Sequence, residues 1–104
     1  MNFLWIRLIA IAFVLLPLTS NAKDRIFVTN ERSNNISVID AKTLIVENII
    51  DVGDRPRGIG LSPDSNELYV AVSEENKIVV IDPDSLKILR DFEAGSDPET
   101  FAVH

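Results

Sequence analysis

Apolar and polar positions alternate along most of the chain, and the alternation comes in short runs. Residues 35–40, Asn-Ile-Ser-Val-Ile-Asp, place an apolar side chain at alternate positions and close on aspartate. Forty-two positions later, residues 77–82, Lys-Ile-Val-Val-Ile-Asp, do nearly the same. A period of two is the signature of a β-strand with one face buried. Similar runs occur at 25–30 (RIFVTN), 44–52 (LIVENIIDV), 57–62 (RGIGLS), 67–73 (ELYVAVS) and 86–94 (LKILRDFEA), and 100–104 (TFAVH) begins another. They are rich in β-branched and aromatic residues, and Asn, Asp, Ser, Gly and Pro stand between them.

The recurrence is a repeat. Sliding the chain by 42 without a gap pairs residues 26–62 with 68–104, and nine of those 37 pairs are identical. They are Val28/Val70, Asn34/Asn76, Ile36/Ile78, Val38/Val80, Ile39/Ile81, Asp40/Asp82, Leu44/Leu86, Gly53/Gly95 and Pro56/Pro98. Ordinary composition would give about two or three. Four strands in a period near 40 residues predict an all-β chain, a β-propeller built of four-stranded antiparallel blades. The small, apolar Gly-Ile-Gly-Leu-Ser segment suits the crowded innermost strand. On that phase, 57–93 is one complete blade, 25–52 supplies the outer three strands of an earlier one, and 99–104 starts the next. A closed ring of six to eight blades needs about 250 to 340 residues at this period. The expectation is therefore that the chain is the N-terminal part of a longer propeller and that the isolated 104-residue chain is not a stable monomer; the alternative is that two blades stand alone or assemble in trans.

The first 22 residues stand apart from the repeat. Arg7 precedes the unbroken apolar run 8–16, Pro17 ends it, and Ser20-Asn21-Ala22 supplies small residues where a signal peptidase cuts. Cleavage is expected between Ala22 and Lys23, which predicts a periplasmic or secreted protein. The competing reading is an uncleaved anchor, but the apolar stretch falls short of the roughly 20 residues of a spanning helix. The whole chain has a formal charge of −6. Removing Arg7 leaves nine basic against sixteen acidic side chains, a net charge of −7. That sign argues against nucleic acid, and against a membrane surface once the signal is gone, because both call for a basic patch. The chain has no cysteine, so disulfides, thiol chemistry and haem attachment through a C-x-x-C-H motif are excluded.

Antiparallel strands bring alternate loops to one end of a blade. Residues 30–35, 53–58, 73–77 and 95–100 are thus expected on one charged face, with Arg55, Arg57, Asp97 and Glu99 leading into the inner strands. These four are the candidate ligand or partner face. Arg55 and Arg57 could grip a carboxylate or phosphate, and in the competing reading Arg57 and Glu99 pair across neighbouring blades and brace the ring. Asp40 and Asp82 read as turn residues that accept backbone hydrogen bonds; as calcium ligands they lack companions. His104 could be a base or metal ligand, or a structural histidine at a strand end. No catalytic residue, metal site or cofactor is evident in these motifs.

The sequences FVTN (27–30), NISVID (35–40) and DVGDRPRGIGLSPD (51–64) resemble the YVTN-type, YncE-like β-propeller repeat. With GSDPETFAVH (95–104), the chain is most similar to the PQQ-dependent catabolism-associated β-propeller proteins. The resemblance spans the whole region after residue 22. It implies a seven-bladed periplasmic propeller, a non-catalytic binding or scaffold protein accessory to quinoprotein-dependent alcohol oxidation. PQQ enters by association only, and the implied partner is a quinoprotein dehydrogenase or its cytochrome. The alternative it leaves open is a propeller enzyme, either a lactonase-like metal-dependent hydrolase or a subunit like the amine dehydrogenase heavy chain. One departure stands out. The family's glycine after Ser-Pro-Asp is Ser65 here, and Asn66 tolerates positive φ better than serine, which lets the turn move by one residue.

Overall fold

The computed structural model describes residues 24–103. The expected signal peptide and His104 lie outside the described residues. Seven strands follow in chain order: β1 Arg25–Asn30, β2 Asn35–Asp40, β3 Val46–Asp51, β4 Pro56–Leu61, β5 Leu68–Val72, β6 Lys77–Ile81 and β7 Ile88–Glu93. A 3-10 turn, Ser73–Glu75, joins β5 to β6. The all-β expectation holds, and every strand pairing is antiparallel.

The strands form two sheets, β1-β2-β3 and β4-β5-β6-β7. They stack face to face because the alternation gives each an apolar side. Ile36, Val38, Ile50 and Val52 of the first sheet and its flank meet Leu68, Val70, Val72, Val79 and Ile81 of the second. Phe27, Ile59 and Leu86 close the rim of this core. Burying an aliphatic side chain of this size stabilises the fold by about 1.5–3 kcal/mol. Polar ties fix the stacking direction: the Thr29 hydroxyl donates to the Arg57 carbonyl at 2.9 Å, and Arg25 Nη1 donates to the carbonyls of Pro83 and Asp84, both at 2.9 Å.

The 42-residue repeat extends to the backbone. Positive φ recurs at Asn34 and Asn76 (64° and 53°), Leu44 and Leu86 (60° and 65°), Gly53 and Gly95 (120° and 80°), and Arg55 and Asp97 (63° and 49°). Both sheets carry a register shift at the same place, Val38/Ile39 and Val80/Ile81. The turns repeat as well. Asp40 Oδ1 accepts from the Lys42 and Thr43 N–H groups at 2.8 and 3.1 Å, and Asp82 Oδ1 from those of Asp84 and Ser85 at 2.8 and 3.2 Å.

Three expectations about local structure need correction. The strands expected from residues 44 and 86 begin two residues later, because Leu44 and Leu86 are left-handed and close their turns with N–H bonds to the carbonyls of Asp40 and Asp82, both at 2.8 Å. The turn after β4 does not move to Asn66. Ser65 itself takes φ 62°, held by its N–H bond to the Ser62 carbonyl at 2.9 Å, while Asp64 Oδ1 accepts from the Asn66 N–H at 3.0 Å. Residues 99–103 form no strand. A strand exists only through a neighbour that satisfies its backbone, and this segment lies across the face of the second sheet instead of along an edge. A Cβ on Gly58 would stand 2.6 Å from the Glu99 carbonyl oxygen, and the Phe101 ring packs edge-on to Tyr69, with centroids 6.4 Å apart.

Candidate functional site

The charged end of the molecule is built from four segments: the β1–β2 turn, the β3–β4 link, the 3-10 turn, and the stretch after β7. Their backbones are hooked together before any side chain pairs. Asn34 Oδ1 accepts from the Arg55 N–H at 3.0 Å, the Ser73 N–H and hydroxyl both donate to the Arg55 carbonyl at 3.0 Å, and Asn76 Oδ1 accepts from the Asp97 N–H at 2.8 Å. Glu75 Oε2 accepts from the Asp54 N–H at 2.5 Å. That bond requires glycine at position 53, where φ is 120° and a Cβ would stand 2.3 Å from the same oxygen.

On this frame lies a ladder of alternating charge. Glu74 Oε1 is 3.1 Å from Arg55 Nη1, Arg55 Nε is 2.7 Å from Glu31 Oε1, Glu31 Oε2 is 4.0 Å from Arg57 Nε, and Arg57 Nη1 is 2.6 Å from Glu99 Oε1. Glu31 is held below the usual carboxylate range by its hydrogen bond from Arg55, and the charges of Arg57, Arg55 and Arg32 add to this. Glu75 is lowered too, first by the Asp54 N–H and then by Lys77, whose Nζ is 3.1 Å away.

Among the four residues singled out from the sequence, Arg57 and Glu99 meet each other directly, and Arg55 lies in the same ladder through Glu31. Asp97 sits at the same end but outside the ladder; its backbone is clamped by Asn76, and its exposed carboxylate makes no ion pair among the described residues. Glu31 and Glu74 were missed. Their signal was available in the loop sequences 30–35 and 73–77, since residues placed on one end with two arginines need acceptors there. Both guanidinium groups are occupied, so an incoming carboxylate or phosphate would have to displace a glutamate already in place. The carboxylates offer the more accessible chemistry: Glu74, Glu99 and Asp97 are all exposed. Among the described residues, no cluster of three or more His, Cys, Asp or Glu is placed to hold a metal ion.

No family model matches the chain. Solved structures do match its fold. Hydrazine synthase of Kuenenia stuttgartiensis superposes with a TM-score of 0.69 at 24% identity, over 73% of this chain and 22% of that one. Apo AztD of Citrobacter koseri gives 0.63 at 23%, over 73% and 22%. The dihydro-heme d1 dehydrogenase NirN, in complex with DHE, gives 0.66 at 15%, over 80% and 18%.

These two sheets are β-propeller blades. In sequence the blades are 31% identical to antigen Lp49 of Leptospira interrogans, over 77% of this chain and 21% of that protein. They are 34% identical to the uncharacterized protein YncE of Salmonella typhi, over 60% of this chain and 18% of that protein. The YncE of Salmonella typhimurium matches to the same extent. The homology to YncE-like proteins is weak, and the chain spans about a fifth of the length of the curated relatives it matches.

Proposed function

We propose that the chain contributes blades to an exported, non-catalytic propeller that binds a basic protein surface and serves as an accessory to PQQ-dependent alcohol oxidation. The partner in this reading is a quinoprotein dehydrogenase or its cytochrome, met in the periplasm after the first 22 residues are removed. The resemblance of the repeat motifs suggests the setting. The observation that carries the binding mode is the ladder Glu74–Arg55–Glu31–Arg57–Glu99. It pairs both arginines internally; six acidic side chains (Glu31, Asp54, Glu74, Glu75, Asp97, Glu99) against four basic ones (Arg32, Arg55, Arg57, Lys77) leave this end a net charge of −2, with Asp97 the exposed carboxylate outside the ladder. An acidic surface held on a rigid backbone steers a basic partner and sets its orientation more than it adds affinity.

The test is binding of the purified complete propeller that carries these blades to a quinoprotein dehydrogenase and to its cytochrome, measured by calorimetry at low and at high salt. Binding that weakens with salt and is reduced several-fold or more by Asp97→Lys supports the reading. Failure of both partners to bind at low salt, or binding that Asp97→Lys leaves unchanged, overturns it.

A further inference from the structure

We infer that Arg55 is an anion receptor capped by Glu74, and that an incoming carboxylate opens it by taking the place of Glu74 on the guanidinium. Arg55 is a residue its own backbone does not favour. It is left-handed, with φ 63°, in the region where glycine is at ease and a larger residue is strained. Three bonds hold it there: Asn34 Oδ1 accepts the Arg55 N–H at 3.0 Å, and the Ser73 N–H and hydroxyl both donate to the Arg55 carbonyl at 3.0 Å. None of them uses the arginine side chain. The same frame recurs at Asp97, left-handed at φ 49° with its N–H on Asn76 Oδ1 at 2.8 Å. An acid stands there, so the frame itself does not call for arginine.

Stability does not explain the arginine either. The side chains of Arg55, Glu31 and Glu74 are 39%, 45% and 56% exposed, and exposed ion pairs at most offset what a left-handed side chain costs. What the frame does secure is direction. The Arg55 backbone is clamped and its Nε donates to Glu31 Oε1 at 2.7 Å, so the far edge of the guanidinium is presented in one orientation. On that edge Nη1 donates to Glu74 Oε1 at 3.1 Å, and Nη2 makes no hydrogen bond among the described residues. All the residues involved lie between Glu31 and Glu74, within the two blades and the link that joins them.

The two glutamates are not equivalent. Glu31 is shared by Arg55 and Arg57, at 2.7 and 4.0 Å, whereas among the described residues Glu74 pairs with Arg55 alone, at 3.1 Å. The Glu74 backbone is anchored independently of its carboxylate, its N–H donating to the Asp54 carbonyl at 3.3 Å. Its side chain therefore swings into solvent without loosening the turn. The vacated edge offers Nη1 and Nη2 side by side, the geometry that takes a carboxylate in two parallel bonds. Exchanging one carboxylate for another leaves Arg55 neutralised as before, while a phosphate dianion would set a second negative charge beside Glu31. The ligand is thus a carboxylate, that of a free organic acid or of a protein's acidic side chain.

The test follows the backbone amide signals of the complete propeller that carries these blades by NMR. It is titrated with sodium acetate and, separately, with a blocked Gly-Glu-Gly peptide, each against sodium chloride at equal ionic strength. The amides of Arg55 and of Ser73–Glu75 are expected to move with acetate and not with chloride. Glu74→Gln is expected to bind acetate several-fold more tightly, because a neutral amide competes less well for the guanidinium. Arg55→Gly, which suits the left-handed backbone, is expected to lose the response. Peptide binding several-fold tighter than acetate assigns the ligand to a protein side chain; equal or weaker peptide binding assigns it to a free organic acid. Acetate shifts no larger than those of chloride, an affinity that Glu74→Gln leaves unchanged, or a response that survives in Arg55→Gly overturns the inference. None of these readouts involves the dehydrogenase, the cytochrome or Asp97, so this inference and the function proposed above fail separately.

Discussion

Asn34 and Asn76, one repeat apart, do the same work: each is left-handed, and each side chain accepts the N–H of a second left-handed residue 21 positions ahead, Arg55 at 3.0 Å and Asp97 at 2.8 Å. The clamp joins the turn inside a blade to the stretch that leaves it. Asparagine suits both duties, because it tolerates positive φ and carries an acceptor at the right reach. Replacing Asn76 with alanine removes both, and a loss of about 1–2 kcal/mol is expected. Asn76→Gly keeps the backbone freedom and should cost less. Urea midpoints of the two variants separate the clamp from the conformation.

Ser65 is strained where Asn34 is not. It holds φ 62°, and its side chain makes no hydrogen bond among the described residues to offset it. A left-handed non-glycine residue costs about 1–2 kcal/mol, and glycine gives back about 0.5–1 kcal/mol through greater freedom of the unfolded chain. Ser65→Gly is therefore expected to stabilise the protein by up to about 1 kcal/mol, read as a raised urea midpoint at unchanged slope.

The charge ladder should respond to salt. Glu31→Gln removes the negative charge that Arg55 and Arg57 share, although its amide oxygen can still accept a hydrogen bond. Its residues are largely exposed, so the destabilisation is expected to be smaller than that of Asn76→Ala. It should shrink further when the comparison is repeated at about 1 M salt, where screening acts within roughly 3 Å.

Acid should destabilise the fold. Glu31, lowered by Arg55, Glu67, lowered by Arg90 and then Tyr69, and Glu75, lowered by the Asp54 N–H and then Lys77, all bind protons less readily folded than unfolded. Asp82 follows them through the N–H groups of Asp84 and Ser85. The stability these groups add is fully present above their unfolded values, about 4, and is lost as pH falls through the lower folded ones. Melting temperature should be flat from pH 7 to about 5 as far as these groups are concerned, and drop below about 4.

The core should be the least forgiving region. Ile81 is fully buried between the blades, whereas Ile45 is 65% exposed. Ile81→Ala is expected to cost about 2–5 kcal/mol through lost burial and the cavity left behind. Ile45→Ala should be close to neutral. Equal losses at the two sites, measured by chemical denaturation, would contradict the stacking of the sheets.

The sequence by itself determined the strands, the 42-residue period, the acceptor role of Asp40 and Asp82, and the gathering of charged loops at one end. All of these follow from short-range causes: alternation sets the faces of a strand, and an aspartate reaches only the N–H groups two or three residues on. Tertiary structure decided the rest. It assigned Leu44 and Leu86 to turns although their side chains read as strand, and it kept Ser65 left-handed beside a more suitable Asn66. It gave Arg55 to Glu31 and Glu74, 24 and 19 residues away. Those outcomes depend on which segments share a place in space, and no local pattern specifies that. The segment 98–103 reads as a strand in sequence, but strand structure belongs to pairs, and among the described residues no strand runs beside it.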